Sequence, residues 1–151
     1  MTYWKENEKI VLDLLNDFDG SDFRLSDEEK SIYDIIGTSE GVKTLVEVKY
    51  RNRKWNEMWI DKSKLEGLFK FGKDNTSEEF NVYIVVSAEG KHYLYNAKDI
   101  WTKGTHKKEK MNHKTDFLSN GKMNKDIVEF TWDTYMVELV SKELGKSYER
   151  L

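Results

Sequence analysis

Ser31 to Asn52 reads SIYDIIGTSEGVKTLVEVKYRN, and the reading of this stretch decides the fold. It predicts two short β-strands joined by a turn at Ser39-Glu40-Gly41. The first, Ile32 to Gly37, carries a single acid, Asp34, among apolar neighbours. The second, Val42 to Tyr50, is rich in β-branched residues and carries Glu47 and Lys49. Side chains alternate across a strand, so Glu47 and Lys49 share one face and Val46 and Val48 the other. If the two strands pair antiparallel, Asp34 comes close to both. Two carboxylates and an ammonium then stand together on a sheet, where an uncompensated charge is costly and a metal ion would relieve the repulsion between the acids. The plainer alternative is a half-exposed strand with a cross-strand salt bridge.

The tripeptide E-x-K is common by chance in so charged a chain. Glu28-Glu29-Lys30 and Glu89-Gly90-Lys91 also match it, but the first lies in an acidic run and the second in a predicted hairpin turn. Only Glu47-Val48-Lys49 sits in an apolar strand that follows an acid-bearing one. In this respect the chain resembles the PD-(D/E)XK, or restriction-endonuclease-like, nuclease superfamily, with Tyr33 where the motif's proline would stand. The resemblance implies an α/β fold with a restriction-endonuclease-like core, a central mixed β-sheet flanked by helices. It implies Asp34, Glu47 and Lys49 as catalytic residues, and Asp34, Glu47, the backbone carbonyl of Val48 and an acid on the first helix as holders of Mg²⁺ or Mn²⁺. The activity implied is metal-dependent hydrolysis of phosphodiester bonds, with branched, nicked or duplex DNA as the expected substrate, by an endonuclease or resolvase-type phosphodiesterase. The alternative is a catalytically inactive module of the same fold that binds nucleic acid or a protein.

Outward from this stretch, Thr2 to Phe18 reads as an amphipathic helix with Trp4, Val11, Leu15 and Phe18 on one face. Glu8 falls on that face and is the expected helix acid; Glu6 lies off it. Phe23 to Lys30 is a polar connector in which Phe23 and Leu25 alternate as a short edge segment. Trp55 to Ile60 suits a third strand. Ser63-Lys64-Leu65-Glu66 matches a capping box and predicts a helix from Lys64 to Phe71, with Leu65, Leu68 and Phe69 inward. After a loop from Gly72 to Glu79, Asn81 to Ala88 is a buried strand that turns at Glu89-Gly90 into His92 to Tyr95. Ala97 to Trp101 suits a helical turn, Ile127 to Thr131 a last strand, and Trp132 to Leu144 a closing helix with Met136, Leu139, Val140 and Leu144 inward.

The chain of 151 residues suits a single domain over 1–151, with enough length for a core of its own. It has no cysteine, which excludes disulfides and thiolate metal sites. No apolar run approaches bilayer length and no leader opens the chain, so a cytoplasmic protein without a membrane partner is expected. The net charge is −3, but the cations are clustered. Arg51, Arg53 and Lys54 follow the motif, Lys62 and Lys64 stand before and at the start of the middle helix, and Lys107, Lys108 and Lys110 lie in Thr102 to Lys125, read as a long substrate-facing loop. These eight are the expected nucleic-acid-binding residues; solvated surface is the alternative for each. A zinc site from His106, His113 and Asp116 fits no ligand spacing. Cutting both strands of a duplex suits a homodimer.

Overall fold

The structure is a computed structural model that describes residues 3–27, 31–51, 57–112, 122–131 and 136–140; for residues 3, 4, 57, 109–112 and 122–124 only the backbone is described. Helix α1, Tyr3–Asn16, precedes strands β1, Ser21–Leu25, β2, Ile35–Ser39, and β3, Val42–Arg51. Strand β4, Glu57–Asp61, leads into helix α2, Lys62–Asn75. Then follow β5, Phe80–Ala88, β6, Lys91–Asn96, helix α3, Ala97–Lys103, β7, Thr105–Asn112, β8, Lys122–Thr131, and β9, Val137–Leu139.

Six strands form the central sheet, in the order β1-β2-β3-β5-β6-β9, and three form a second sheet, β4-β8-β7. The central sheet is mixed: β3 and β5 run parallel, and the other neighbours run antiparallel. A parallel pair needs a crossover, and here β4 and α2 supply it. The hairpins β2–β3 and β5–β6 turn on two residues each, Glu40-Gly41 and Glu89-Gly90, all with positive φ. That is the backbone twist a two-residue hairpin demands, and it favours glycine at the second position. Gly37 answers a different need: a Cβ there would collide with the backbone of Asp22 and Phe23 on the neighbouring strand.

Each face of the central sheet has its own apolar cluster. On one, Ile35, Val46 and Val85 pack with Val11 and Leu15 of α1 and with Leu139 of β9. On the other, Ile36, Leu45, Ile84 and Val86 pack with Leu65 and Leu68 of α2 and with Met58, Ile60, Val128 and Phe130 of the second sheet. The central strand β5 is apolar on both faces, as its continuous run of Val and Ile predicts. This is the α/β arrangement expected from the sequence, with a mixed sheet between helices.

Several boundaries differ from expectation. The buried face of α1 is Asn7, Val11 and Leu15; Phe18 lies beyond the helix end and is 49% exposed. The segment before the motif holds a full edge strand, β1. The first motif strand begins at Ile35, so Asp34 sits in the bend just before it. Helix α2 starts at Lys62 behind Asp61, which makes no side-chain cap bond, so Ser63 is a first-turn residue and the capping-box reading fails. The helix also runs on to Asn75. The expected loop from Thr102 to Lys125 contains β7 and the start of β8, paired antiparallel from Thr105↔Glu129 to Asn112↔Lys122. The expected closing helix is instead strand β9 at Val137–Leu139, paired with β6; residues 141–144 lie outside the described residues. Among the described residues no helix is long and apolar enough to cross a membrane.

Candidate active site

The site forms where β2 gives out beside β3. Ile35 pairs with Val46, which places Asp34 opposite Glu47. The backbone amide of Asp34 still donates to the Val46 carbonyl, at 3.0 Å, but the next ladder bond is taken over by its side chain: the Val48 amide donates to Asp34 Oδ2 at 2.8 Å. The carboxylate is thus fixed by the end of the sheet, and a backbone donor that would lack a partner is satisfied. In an extended strand a residue's N–H and C=O point to the same edge, so the Val48 carbonyl lies on the Asp34 side of β3.

Glu47 is buried, with a side chain 8% exposed, and it faces α2. Lys49, two residues on, lies 3.3 Å from Glu47 Oε1, as the alternation of a strand requires. Lys64, from the first turn of α2, lies 3.3 Å from Glu47 Oε2. Oε2 is buried, and at 3.3 Å its contact with Lys64 is longer than a well-formed charge-assisted hydrogen bond. Burial is the main cause that raises the Glu47 pKa above the usual carboxylate range. The charge of Asp34 adds to it, and Lys49 and Lys64 oppose it.

Glu8 of α1 belongs to the same electrostatic unit. Its pKa is raised from 4.5 to about 7, by burial first, then by Asp34 and Glu47, with Lys5 opposing. Three carboxylates, Glu8, Asp34 and Glu47, and three ammoniums, Lys5, Lys49 and Lys64, thus share one electrostatic unit. A testable consequence follows from the sign of the Glu8 shift. Its folded pKa lies above its unfolded value, so the stability it contributes is complete below pH 4.5 and is lost as pH rises through about 7. In the absence of divalent ions, wild type should lose melting temperature relative to Glu8→Gln from about pH 5 to about pH 8. Parallel melting curves across that range would show that Glu8 does not sense Asp34 and Glu47.

The donor set consists of oxygen, which suits a hard divalent ion that takes one or two carboxylates and keeps several waters. Glu47 Oε2, a buried carboxylate oxygen whose contact with Lys64 is long, at 3.3 Å, fits such an ion. Among the described residues there is no group of three His, Cys, Asp or Glu that could hold a metal ion.

The basic residues fall into separate groups. Arg51 stacks over Trp59 at 5.8 Å and donates to its own neighbour, the Tyr50 carbonyl; burial lowers its pKa and Asp61 opposes that. Lys62 lies over Trp101 at 5.3 Å. Lys107 is held 2.7 Å from Glu129 on the second sheet, and Lys108 is exposed on the same strand. Arg53 and Lys54 lie outside the described residues, as does the Lys110 side chain. Lys64 faces Glu47 rather than open surface. Its position had a signal in the sequence: the first turn of α2 carries lysines and no acid, the reverse of what the helix dipole favours. His106 meets the Trp101 carbonyl at 2.7 Å; His113 and Asp116 lie outside the described residues.

A mixed sheet with an acid heading one strand and E-x-K on the next is the core of the restriction-endonuclease-like nucleases. Within that class, residues 25–127 match the family model described as archaeal Holliday junction resolvase (Hjc), and the chain belongs to that family. It is therefore a metal-dependent DNA nuclease, an endonuclease of the resolvase type. The structure of Hjc from Archaeoglobus fulgidus, a Holliday junction resolvase of an archaeal hyperthermophile, is similar over 90% of this chain and 90% of that one, with a TM-score of 0.55 and 11% identity. A bacterial homing endonuclease, I-Ssp6803I, aligns over 83% of this chain and 69% of its own, with a TM-score of 0.37 and 15% identity. No curated protein matches the chain in sequence.

Proposed function

We propose that this chain, as one domain over 1–151, cuts branched DNA at four-way junctions, with Asp34, Glu47 and Lys49 as its catalytic residues. The observation that carries the reading is the convergence of Asp34, Glu47 and Lys49 at the end of β2, in a chain that belongs to a junction-resolvase family. Asp34, Glu47 and the Val48 carbonyl would hold Mg²⁺ or Mn²⁺, with Glu8 of the same electrostatic unit as the helix acid beside them. The bound ion supplies an acidified water and neutralises charge on the phosphate.

The remaining work falls to the chain itself. The Val48 amide fixes the Asp34 carboxylate, so its position is set before substrate arrives. Lys49 directs its ammonium toward the water that attacks phosphorus and toward the oxygens that gain charge as the phosphodiester bond to the leaving sugar oxygen breaks. Arg51, Lys62 and Lys108, with Arg53, Lys54, Lys107 and Lys110, meet the phosphate backbone. Each site cuts one strand, so paired incisions in a junction call for a homodimer. The protein works in the cytoplasm, without a membrane partner.

Binding tests the substrate. Lys49→Ala protein, expected to bind without cutting, should retain a labelled four-way junction in excess linear duplex of the same sequence, and the affinity should fall steeply with salt. Equal affinity for junction and duplex would remove junction selectivity from this reading.

A further inference from the structure

We propose that Lys64 is a built-in placeholder cation: its ammonium neutralises Glu47 Oε2 while no divalent ion is bound and gives that oxygen up when one is. The inference rests on the reading of Glu47 as an ion-holding carboxylate.

Glu47 meets its two lysines differently. Lys49 comes from the same strand, on the oxygen Oε1, at a spacing the strand itself fixes. Lys64 comes from another element and meets the buried oxygen Oε2 at 3.3 Å. At 3.3 Å that contact is longer than a well-formed charge-assisted hydrogen bond. A buried carboxylate beside a second acid needs such a charge, and burial together with Asp34 disfavours its ionised form. The placement also runs against the helix. Lys64 lies in the first turn of α2, whose backbone amides make a positive end, and that turn contains no acidic residue. A cation there is locally unfavourable, and the carboxylate it faces offsets this. Lys64 remains a quarter exposed, so its long side chain can turn toward solvent or a phosphate oxygen on release.

A placeholder competes with the ion it stands in for. This gives a sign that an ordinary surface ion pair does not. Removing Lys64 should tighten divalent-ion binding, whereas removing a ligand would weaken it. The experiment is calorimetric titration of Mn²⁺ into the full chain without DNA, for wild type, Lys64→Met, Lys64→Arg and Glu47→Gln. Lys64→Met should bind Mn²⁺ more tightly, on the order of tenfold, as expected when a cation at contact distance is deleted from a partly buried carboxylate. Lys64→Arg should bind like wild type. In thermal melts, Lys64→Met should melt lower than wild type without ion and gain more from added Mn²⁺.

Unchanged or weaker Mn²⁺ binding by Lys64→Met, with wild-type binding that Glu47→Gln abolishes, would overturn the role of Lys64 and leave the ion site standing. Wild-type protein whose Mn²⁺ binding is absent, or indifferent to Glu47→Gln, would overturn both together. Should Lys64→Met fold poorly, Lys64→Gln keeps a polar tip without the charge and carries the same expectation.

Discussion

Lys49→Ala lowers the rate of strand cleavage by roughly a hundred- to a thousandfold, the usual loss when one preorganised donor to a charge-gaining oxygen is removed. The size of the effect follows from position. Lys49 is held on the strand that carries Glu47, two residues on, and pairs with it at 3.3 Å, so its ammonium is oriented before substrate binds. Water entering the space left by the alanine cannot be oriented in the same way. The fold should persist, because Lys49 is partly exposed and Lys64 still compensates Glu47. Single-turnover cleavage of labelled DNA measures the loss, with a thermal melt and a Mn²⁺ titration as controls. A variant that binds Mn²⁺, folds and cuts within a few-fold of wild type would remove Lys49 from the chemistry.

Asp34→Asn separates the structural and chemical duties of one side chain. Asparagine keeps an oxygen to accept from the Val48 amide, so the end of β2 remains tied to β3. What it loses is the charge. Cleavage should fall by at least about a hundredfold, since one of the two carboxylates expected to hold the ion is neutral. The melting temperature should hold or rise in the absence of ion, because a repulsion with Glu47 disappears. Glu8 reports the same change from a distance. Its pKa should drop from about 7 part of the way toward 4.5, burial being the larger cause and remaining in place. Side-chain NMR titration of Glu8 reads this directly. A pKa still near 7, or cleavage near the wild-type rate, would show that Asp34 does not share the site.

The parts of the molecule that the sequence announced are those in which local pattern and tertiary environment agree. Val82 to Val86 form a central strand because nothing else suits so long a β-branched run. Glu47 and Lys49 share a face because a strand alternates, and Asp34 meets them because Glu40-Gly41 can close only a tight hairpin. The parts that were misread are those in which partners override pattern. Thr105–Asn112 has almost no apolar residues, yet it forms β7, where pairing with β8 and the Lys107–Glu129 ion pair replace an apolar face. Met136, Leu139 and Val140 have helical spacing, but the free edge of β6 offers backbone bonds, and a strand still buries Leu139. Ser63 and Glu66 have the spacing of a capping box, but β4 delivers the chain directly into α2 two residues earlier. Lys64, expected on nucleic acid or on solvated surface, meets Glu47, a partner too far away in sequence for local pattern to reveal.

Cleavage of a labelled four-way DNA junction, with linear duplex of the same sequence alongside, tests the central claim most directly. It should be run with and without Mg²⁺, for wild type and Glu47→Gln. Wild type is expected to nick the junction only when the ion is present and to leave the duplex largely intact, and Glu47→Gln is expected to do neither. Cutting that survives Glu47→Gln, or a junction left whole by folded, ion-supplied wild type, would contradict the assignment of nuclease chemistry to Asp34, Glu47 and Lys49.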